Sequence, residues 1–373
     1  GRRERDGVPH GEHLPSSSML ALTTIDTMRR RAMKVDAMLQ GSGLAELSAE
    51  AQEREAAGYD GLWSFEGPHD PFLPLMPVAE HTTRAAVGTA IAVAFARSPM
   101  TTAYVAHDLQ VHSEGRFLLG LGSQVRPHIE RRFAMPWSHP APRMREYVQA
   151  LRAIWAAWND GEKLNFQGDF YTHTLMTPFF SPAPSPWGPP KVYLAAVGEH
   201  MTRAAGEVGD GLQPHVFTTK RYLREQTLPI LEEGLAASGR TLADFSISFS
   251  GFVVTGTTEE EMAAAARGVR QQIAFYGSTP AYRKVLDLHG WGELGVELNR
   301  LSRSTDDDRW QRMGELVEDE VVEAFAVVAE PDRLGPALLE RYGGIVDRFS
   351  FYAPYPHGDD LFGPAIEILR AGS

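Results

Sequence analysis

The sequence predicts an α/β protein whose strands close into a (β/α)8 barrel, and three observations lead to that fold class. Short apolar runs alternate with longer amphipathic segments from Met33 onward, which is the pattern of parallel βαβ units. The short runs are apolar on both faces, as strands buried on both sides are. Eight of them occur over about 340 residues, which fits a barrel with insertions. A doubly wound parallel sheet is the alternative arrangement of the same units.

The predicted strands are continuous apolar runs, and the predicted helices have apolar residues at helical spacing. Ser98 followed by Pro99 is a typical helix start, and Gly58 is a typical helix end. The strands are predicted at 33–39, 61–65, 85–95, 116–122, 191–198, 210–217, 245–256 and 345–354. The helices are predicted at 44–58, 72–82, 98–115, 142–161, 199–209, 219–239, 258–277 and 331–343.

Two segments interrupt this alternation and are predicted to be insertions. Residues 162–190 contain LNFQGDFYTHT, which predicts a small hairpin, and then a proline-rich run; residues 278–325 contain a charged stretch. Insertions at the carboxyl ends of barrel strands cap active sites. Residues 1–32 are polar and rich in Gly, Pro and Ser, which predicts a disordered leader. Residues 33–373 are therefore predicted to form one domain.

The composition argues against several classes of protein. Acidic residues outnumber basic ones by 48 to 36, for a net charge of -12. The longest basic run is Arg29–Arg31, so a nucleic-acid-binding surface is not expected. The chain has no cysteine, which removes disulfides, thiolate metal sites and cysteine nucleophiles. No apolar run reaches about 18 residues, so no membrane-spanning helix is expected. We predict a cytoplasmic protein with a small-molecule substrate.

Gly120 and Gly122 lie at the end of the fourth predicted strand. Glycines at such a position are typical of a dinucleotide-binding loop and of a ligand pocket at the end of a barrel strand. A dinucleotide fingerprint requires a third glycine and a helix start, but Val125 and a proline-containing segment follow. We interpret the glycines as the end of a barrel strand at a ligand pocket. There the backbone can lie close to a planar ligand, and Ser123 and Gln124 can supply hydrogen bonds. Packing of a tapered barrel core is the alternative reason for glycine here.

Three blocks of sequence carry a resemblance to a known family. They are GLWSFEG at 61–67, VGTAIAVAFARSPMTTAYVAHDLQVHSEGRFLLGLGSQ at 87–124 and VYLAAVGEHMTRAAGEVGDG at 192–211. These blocks resemble the bacterial luciferase-like superfamily of flavin enzymes. More narrowly, the chain is similar from about Met33 to Tyr355 to an actinobacterial subgroup of the coenzyme F420-dependent oxidoreductases. The resemblance implies a barrel enzyme, active as a homodimer, that transfers a hydride between the deazaflavin F420 and a small organic substrate.

The resemblance also implies where the cofactor binds. The matching positions belong to three strands: Ala90, Ile91 and Val93 lie on the third; Gly122, Ser123 and Gln124 come after the fourth; Ala196, Val197, Gly198 and Glu199 come after the fifth. In the superfamily the first group forms a bulge with a non-proline cis peptide behind the cofactor ring, and the other two lie near its phosphate. Gly198 precedes a predicted helix, whose free N–H groups and dipole suit an anion.

Proton transfer to or from the substrate requires an acid or base close to the cofactor ring. Glu66 follows the second strand and matches an acidic position of the resembled family, whereas Gly67 stands where a histidine is common. We therefore predict Glu66 and His69 as catalytic residues, with Asp70 as an alternative to His69. Arg97 can pair with an anionic group or with a helix, and His215 follows the sixth strand on the same rim. Arg97 and His215 are therefore further candidates for residues of the active site.

Other chemistry finds less support in the sequence. There is no HExxH pattern, and the acidic run 306–308 lacks the glycine-centred spacing of a calcium loop, so no metal site is predicted. The same barrel also supports two alternatives to F420 chemistry. One is a monooxygenase that uses FMN and oxygen. The other is a non-catalytic binding protein.

Overall fold

A computed structural model describes residues 1, 32–41 and 43–372, so the predicted leader at 1–32 lies outside the described residues except at its two ends. Eight parallel strands form a closed ring in chain order, because β6 pairs with β7 and β8 pairs with β1. The strands are β1 Lys34–Met38, β2 Gly61–Ser64, β3 Ala86–Thr89, β4 Phe117–Gly122, β5 Lys191–Ala196, β6 Gly211–Pro214, β7 Ser246–Val254 and β8 Arg348–Tyr352. The predicted (β/α)8 barrel is thus confirmed.

Helices surround this ring and follow each of its strands. Those of six or more residues are Leu44–Ala56, Leu75–Glu80, Pro99–His112, Arg126–Arg131, Pro140–Asn159, Glu199–Val208, Leu228–Ala237, Glu259–Gly277, Arg283–Leu288, Gly292–Ser302, Arg309–Glu315, Asp319–Phe325, Pro331–Tyr342 and Gly363–Ala371. The Ser98 side chain accepts a hydrogen bond from Thr101 N and caps the helix that Pro99 begins, as predicted. In the described part of the chain, no helix is both long and apolar enough to cross a membrane.

Side chains alternate between the two faces of the barrel strands. Val87, Leu119 and Val192 are fully buried in the apolar layer between strands and helices. The interior, in contrast, holds small residues such as Ala195 and Ser350, which line a cavity at the carboxyl end of the barrel. Small inward-facing side chains cannot fill a barrel of eight strands, so space for a ligand is left inside.

An ion pair occupies the interior toward the amino end. The guanidinium of Arg348 donates from Nε and Nη2 to the two carboxylate oxygens of Asp36, at 2.8 and 2.6 Å. Trp63 Nε1 donates to the same carboxylate at 2.9 Å. The Asp36 side chain is fully buried and that of Arg348 is 5% exposed. The two charges are therefore stabilised by their direct hydrogen bonds to each other and not by solvent.

The two predicted insertions contain local structure of their own. Phe166–Gln167 pairs antiparallel with Thr172–His173, so the predicted hairpin is present. The Glu146 carboxylate holds it by accepting hydrogen bonds from the N–H groups of residues 169–171, at 2.6–2.8 Å. Residues 280–325 form short helices around a second apolar cluster that includes Phe217. A short strand, Ala326–Val328, follows and pairs with β7. This strand was not predicted from the sequence.

Candidate active site at the carboxyl end of the barrel

A cavity of about 850 Å³ opens at the carboxyl ends of the strands, where barrel enzymes carry their active sites. Apolar side chains form much of its wall, including Met38, Trp63, Ile91 and Phe351. Its described polar lining residues are Gln40, Ser64, His69, Asp70, Gln213, His215, Ser248, Ser250, Tyr276, Ser350 and Tyr352. A mostly apolar cleft with a few polar groups is the usual form of a small-molecule site.

The chain forms the predicted bulge immediately after β3. The peptide bond between Ala90 and Ile91 is cis, as the resemblance implies. Ala90 N donates to Ser64 O at 2.7 Å, and Glu66 N donates to Ile91 O at 3.0 Å, so both sides of the bulge are bonded to the end of β2. Ala90 and Ile91 line the cavity. Val93 follows in a short strand that pairs with β4 and does not belong to the described cavity lining.

Glu66 lies behind this bulge, and one of its carboxylate oxygens is held by two hydrogen bonds. Its Oε2 accepts hydrogen bonds from Val93 N and from Arg97 Nη1, each at 2.6 Å. The Glu66 side chain is only 5% exposed and does not contribute to the described cavity lining. These contacts favour a role in holding the bulge. The predicted proton transfer by Glu66 stays a prediction.

Two further predicted residues lie at the rim on the same side. His69 is exposed and lines the cavity, as expected of a group that exchanges protons with a ligand. The Asp70 carboxylate accepts from Arg97 Nη2 at 3.0 Å and from Phe72 N at 2.8 Å. Arg97 thus bridges Glu66 and Asp70, two carboxylates of the loop after β2, and not a helix.

The glycines of β4 allow a close approach of neighbouring strands. A Cβ atom at Gly120 would stand 1.8 Å from Thr89 O, and one at Gly122 would stand 2.8 Å from Cδ1 of Ile91. Gly122 therefore leaves room for the Ile91 side chain of the bulge. Ser123 and Gln124 lie beyond the strand, and their side chains bond to their own local backbone. Neither one belongs to the described lining of a cavity.

A second, smaller cavity of about 50 Å³ lies at the amino end of the helix Glu199–Val208. Ala196, Val197 and Gly198 line it, and phosphate binding by this turn stays a prediction. Gly198 has φ 77° and ψ 170°, a conformation that is essentially restricted to glycine. No side chain caps this helix, so its first N–H groups point toward the turn without an intrahelical acceptor. Glu199 pairs with Arg203 at 3.1 Å, so only its N–H can serve an anion.

The small cavity is also lined by polar groups that were not predicted from the sequence. Thr218 and Gln226 line it, together with Lys284 from the second predicted insertion. The Thr218 hydroxyl is buried and has no hydrogen-bond partner among the described residues. A cation, an unpaired hydroxyl and a helix amino terminus around one space are the groups that bind phosphate. Because Lys284 is remote in sequence from the turn, no local pattern could have placed it there.

His215 and Pro214 line both cavities and separate them. Burial lowers the pKa of His215 to about 4, so the ring is neutral at pH 7. Its Nδ1 accepts from Phe217 N at 3.1 Å, which leaves the ring proton on Nε2, 3.2 Å from the Tyr282 hydroxyl. His215 therefore has a fixed tautomer and a fixed place between the two cavities.

Gln213 of β6 is another lining residue that the sequence reading did not mark. Its Nε2 donates to Thr89 O at 3.3 Å, whereas its buried Oε1 has no partner among the described residues. The alternation of side chains along β6 points Gln213 into the barrel. In so short a strand, the sequence pattern did not show which residues face inward. Among the residues that the structure describes, no three His, Asp or Glu side chains lie together in a way that could hold a metal ion.

The chain is similar in sequence and in fold to several known proteins. An uncharacterized protein of Mycobacterium tuberculosis is 54% identical over 318 residues, which cover 85% of this chain and 92% of that protein. The F420-dependent glucose-6-phosphate dehydrogenase of Beutenbergia cavernae is 33% identical over 205 residues, which cover 52% and 59%. The coenzyme F420-dependent tetrahydromethanopterin reductase of Methanopyrus kandleri shares the fold, with a TM-score of 0.72 at 18% identity and coverage of 91% and 98%. The family model of luciferase-like monooxygenases matches residues 25–348, so the chain belongs to the luciferase-like monooxygenase family.

Proposed function

We propose that this protein is an F420-dependent oxidoreductase that transfers a hydride between the deazaflavin and a small organic substrate. The observation that carries the proposal is the pair of adjoining cavities. A wide, largely apolar cavity meets, across Pro214 and His215, a small cavity whose lining includes Thr218 and Lys284. This arrangement suits a ligand with a planar ring at one end and a phosphate at the other. Relatives such as the B. cavernae dehydrogenase are named as F420-dependent, which supports this choice of cofactor.

The residues of the wide cavity fit a planar heterocycle. Ala90 and Ile91 present a bulged backbone, and Gly122 leaves room behind Ile91. The unpaired Oε1 of Gln213 can accept a hydrogen bond from a ring N–H, and an unmade bond of this kind is costly in a buried site. Around the small cavity, Gly198 N–H, Thr218 and Lys284 would hold the phosphate. The bound deazaflavin would supply the hydride acceptor or donor, and His69 would move the proton of the substrate.

The phosphate assignment predicts a strong charge effect at Val197. This side chain is 46% exposed and lines the small cavity, so Val197→Glu would add a negative charge beside the phosphate without requiring a new backbone conformation. We expect F420 affinity to fall by about tenfold or more. Val197→Gln is the matched neutral control and should bind within about threefold of the wild type. Equal affinities of the two variants would contradict a phosphate at this turn.

Glu66 provides a test of positioning against proton transfer. Glu66→Ala leaves Val93 N and Arg97 without their common acceptor, so we expect F420 affinity to fall by about three- to tenfold. Glu66→Gln keeps an oxygen for Val93 N and should recover most of that affinity. The measurement is quenching of F420 fluorescence at constant ionic strength. If neither variant changes the affinity, Glu66 does not hold the bulge for the cofactor.

The proposed cofactor is tested directly by titrating the purified protein with F420 and, separately, with FMN. Tight binding of F420 and weak binding of FMN would support the proposal. The family match to luciferase-like monooxygenases favours FMN-dependent oxygen chemistry as the second candidate function. Preference for FMN would replace the first function by the second. Binding of neither cofactor would reject both and leave a non-catalytic binding protein.

A further inference from the structure

The wall of the large cavity opposite the bulge carries polar groups that the cofactor contacts proposed above do not use. In a closed ring of eight strands, β7 lies across the barrel from β3, which carries the bulge. The opposite wall is therefore formed by β7, β8 and the last turn of the helix Glu259–Gly277. Ser250, Tyr276 and Tyr352 line the cavity from these three elements.

The two tyrosines form one hydroxyl pair. Their oxygens are 3.1 Å apart, so one hydroxyl donates to the other. The accepting hydroxyl keeps its own O–H free, and the pair thus offers one donor to a ligand. The Tyr276 ring meets His215 edge to face at 4.9 Å, and the Tyr352 ring meets Phe252 in the same way at 5.1 Å. Packing therefore fixes both rings and the direction of the pair.

A second hydroxyl lies deeper on the same wall. In the register of β7 and β8, Phe252 is opposite Tyr352 and Ser250 is opposite Ser350, so Ser250 is one inward position below the tyrosine pair. Its Oγ is buried and has no hydrogen-bond partner among the described residues. A buried hydroxyl is ordinarily paired, and this one faces a space that can receive a ligand.

The surroundings of these hydroxyls favour an uncharged ligand. Met38, Leu39 and Phe351 supply apolar surface. The rim carries the carboxylate of Asp70, and the neighbouring His215 is neutral at pH 7. An anion entering this cavity would lose water and find no lysine or arginine among its described lining residues, whereas a carbonyl or hydroxyl group would find donors already in place.

We propose that Tyr276 and Tyr352 bind the carbonyl or hydroxyl oxygen of an uncharged, largely apolar substrate, with Ser250 as a second polar contact. The inference rests on the proposed function, since that substrate is the hydride partner of the cofactor. Burial and the hydrogen bond to Tyr276 raise the pKa of Tyr352, which keeps the Tyr352 hydroxyl protonated near neutral pH. The site thus differs in kind from one that recognises a phosphorylated sugar.

The test uses F420-loaded protein and two probes of similar size, acetophenone and benzoate, measured by titration calorimetry. We expect acetophenone to bind at least about tenfold more tightly than benzoate. Tyr276→Phe and Tyr352→Phe should each weaken acetophenone binding by about three- to tenfold, which corresponds to one lost hydrogen bond. Tyr104→Phe is the matched control, because the Tyr104 hydroxyl donates to Phe180 O outside the cavity and should leave acetophenone binding unchanged.

The outcomes separate this inference from the proposed cofactor. Failure of the wild type to bind F420 would count against the proposed function alone, and the probe titrations would then be made on the protein without F420. If the wild type binds F420 normally, three results would overturn the inference. They are a preference for benzoate, no binding of acetophenone, and an unchanged acetophenone affinity in both tyrosine variants. F420 affinity of the two variants should equal that of the wild type, which shows that the cofactor site is intact.

Discussion

Asp36→Ala is expected to lower the free energy of unfolding by about 3–5 kcal/mol. The substitution removes the acceptor of two Arg348 hydrogen bonds and of the Trp63 indole N–H. The guanidinium would remain inside the barrel with a 5% exposed side chain, without its paired carboxylate and with the Asp60 carbonyl oxygen, at 3.3 Å, as its remaining acceptor. A buried charge without a partner is among the costliest single defects in a folded protein. Urea unfolding followed by tryptophan fluorescence measures the effect.

Asp319→Ala is the matched control for this prediction. Asp319 also pairs with an arginine, Arg270, but its side chain is 83% exposed. Exposed pairs contribute little, so a loss below about 1 kcal/mol is expected. A loss of similar size in both variants would show that the Asp36–Arg348 pair does not stabilise the barrel through burial.

Gly120→Ala is expected to damage both stability and the cofactor site. The added Cβ would stand 1.8 Å from Thr89 O and 2.7 Å from Gln213 Oε1. Thr89 also bonds to both backbone groups of Gly120 through its hydroxyl, at 2.7 and 2.9 Å, so β3 and β4 are held together at this point. The strands must separate directly before the Ala90–Ile91 bulge. We expect a loss of about 1–3 kcal/mol in unfolding free energy.

The same displacement should weaken F420 binding by about tenfold, because Ala90 and Ile91 move with the end of β3. Gly358→Ala serves as the control, since it has φ -73° and no atom within 4 Å of an added Cβ. It should change stability by less than about 0.5 kcal/mol. Wild-type stability and F420 affinity in Gly120→Ala would show that the close approach of the two strands is not required.

The order of strands and helices could be read from the sequence because it depends on local pattern. Runs such as RFLLGLG are apolar on both faces, and this property can be recognised in the sequence of the strand itself, without knowledge of the strands that pair with it. The bulge at Ala90–Ile91 was placed by resemblance, and the structure has a cis bond there. The three-residue strand Ala326–Val328 was missed, because so short a run has no readable period.

The composition of the site, in contrast, was decided by contacts between distant parts of the chain. Glu66 was predicted as a catalyst from its place after β2, but only the fold shows its carboxylate bonded to Val93 N and Arg97. Lys284 joins the turn at Gly198 across more than 80 positions of sequence, and Tyr276 meets Tyr352 across 76. By itself the sequence determined the barrel and the strand ends that form its pocket, since apolar periodicity is a local property. Which side chains face one another in that pocket was decided by the closure of the ring, because closure alone places β7 across the barrel from β3, with β8 beside β7.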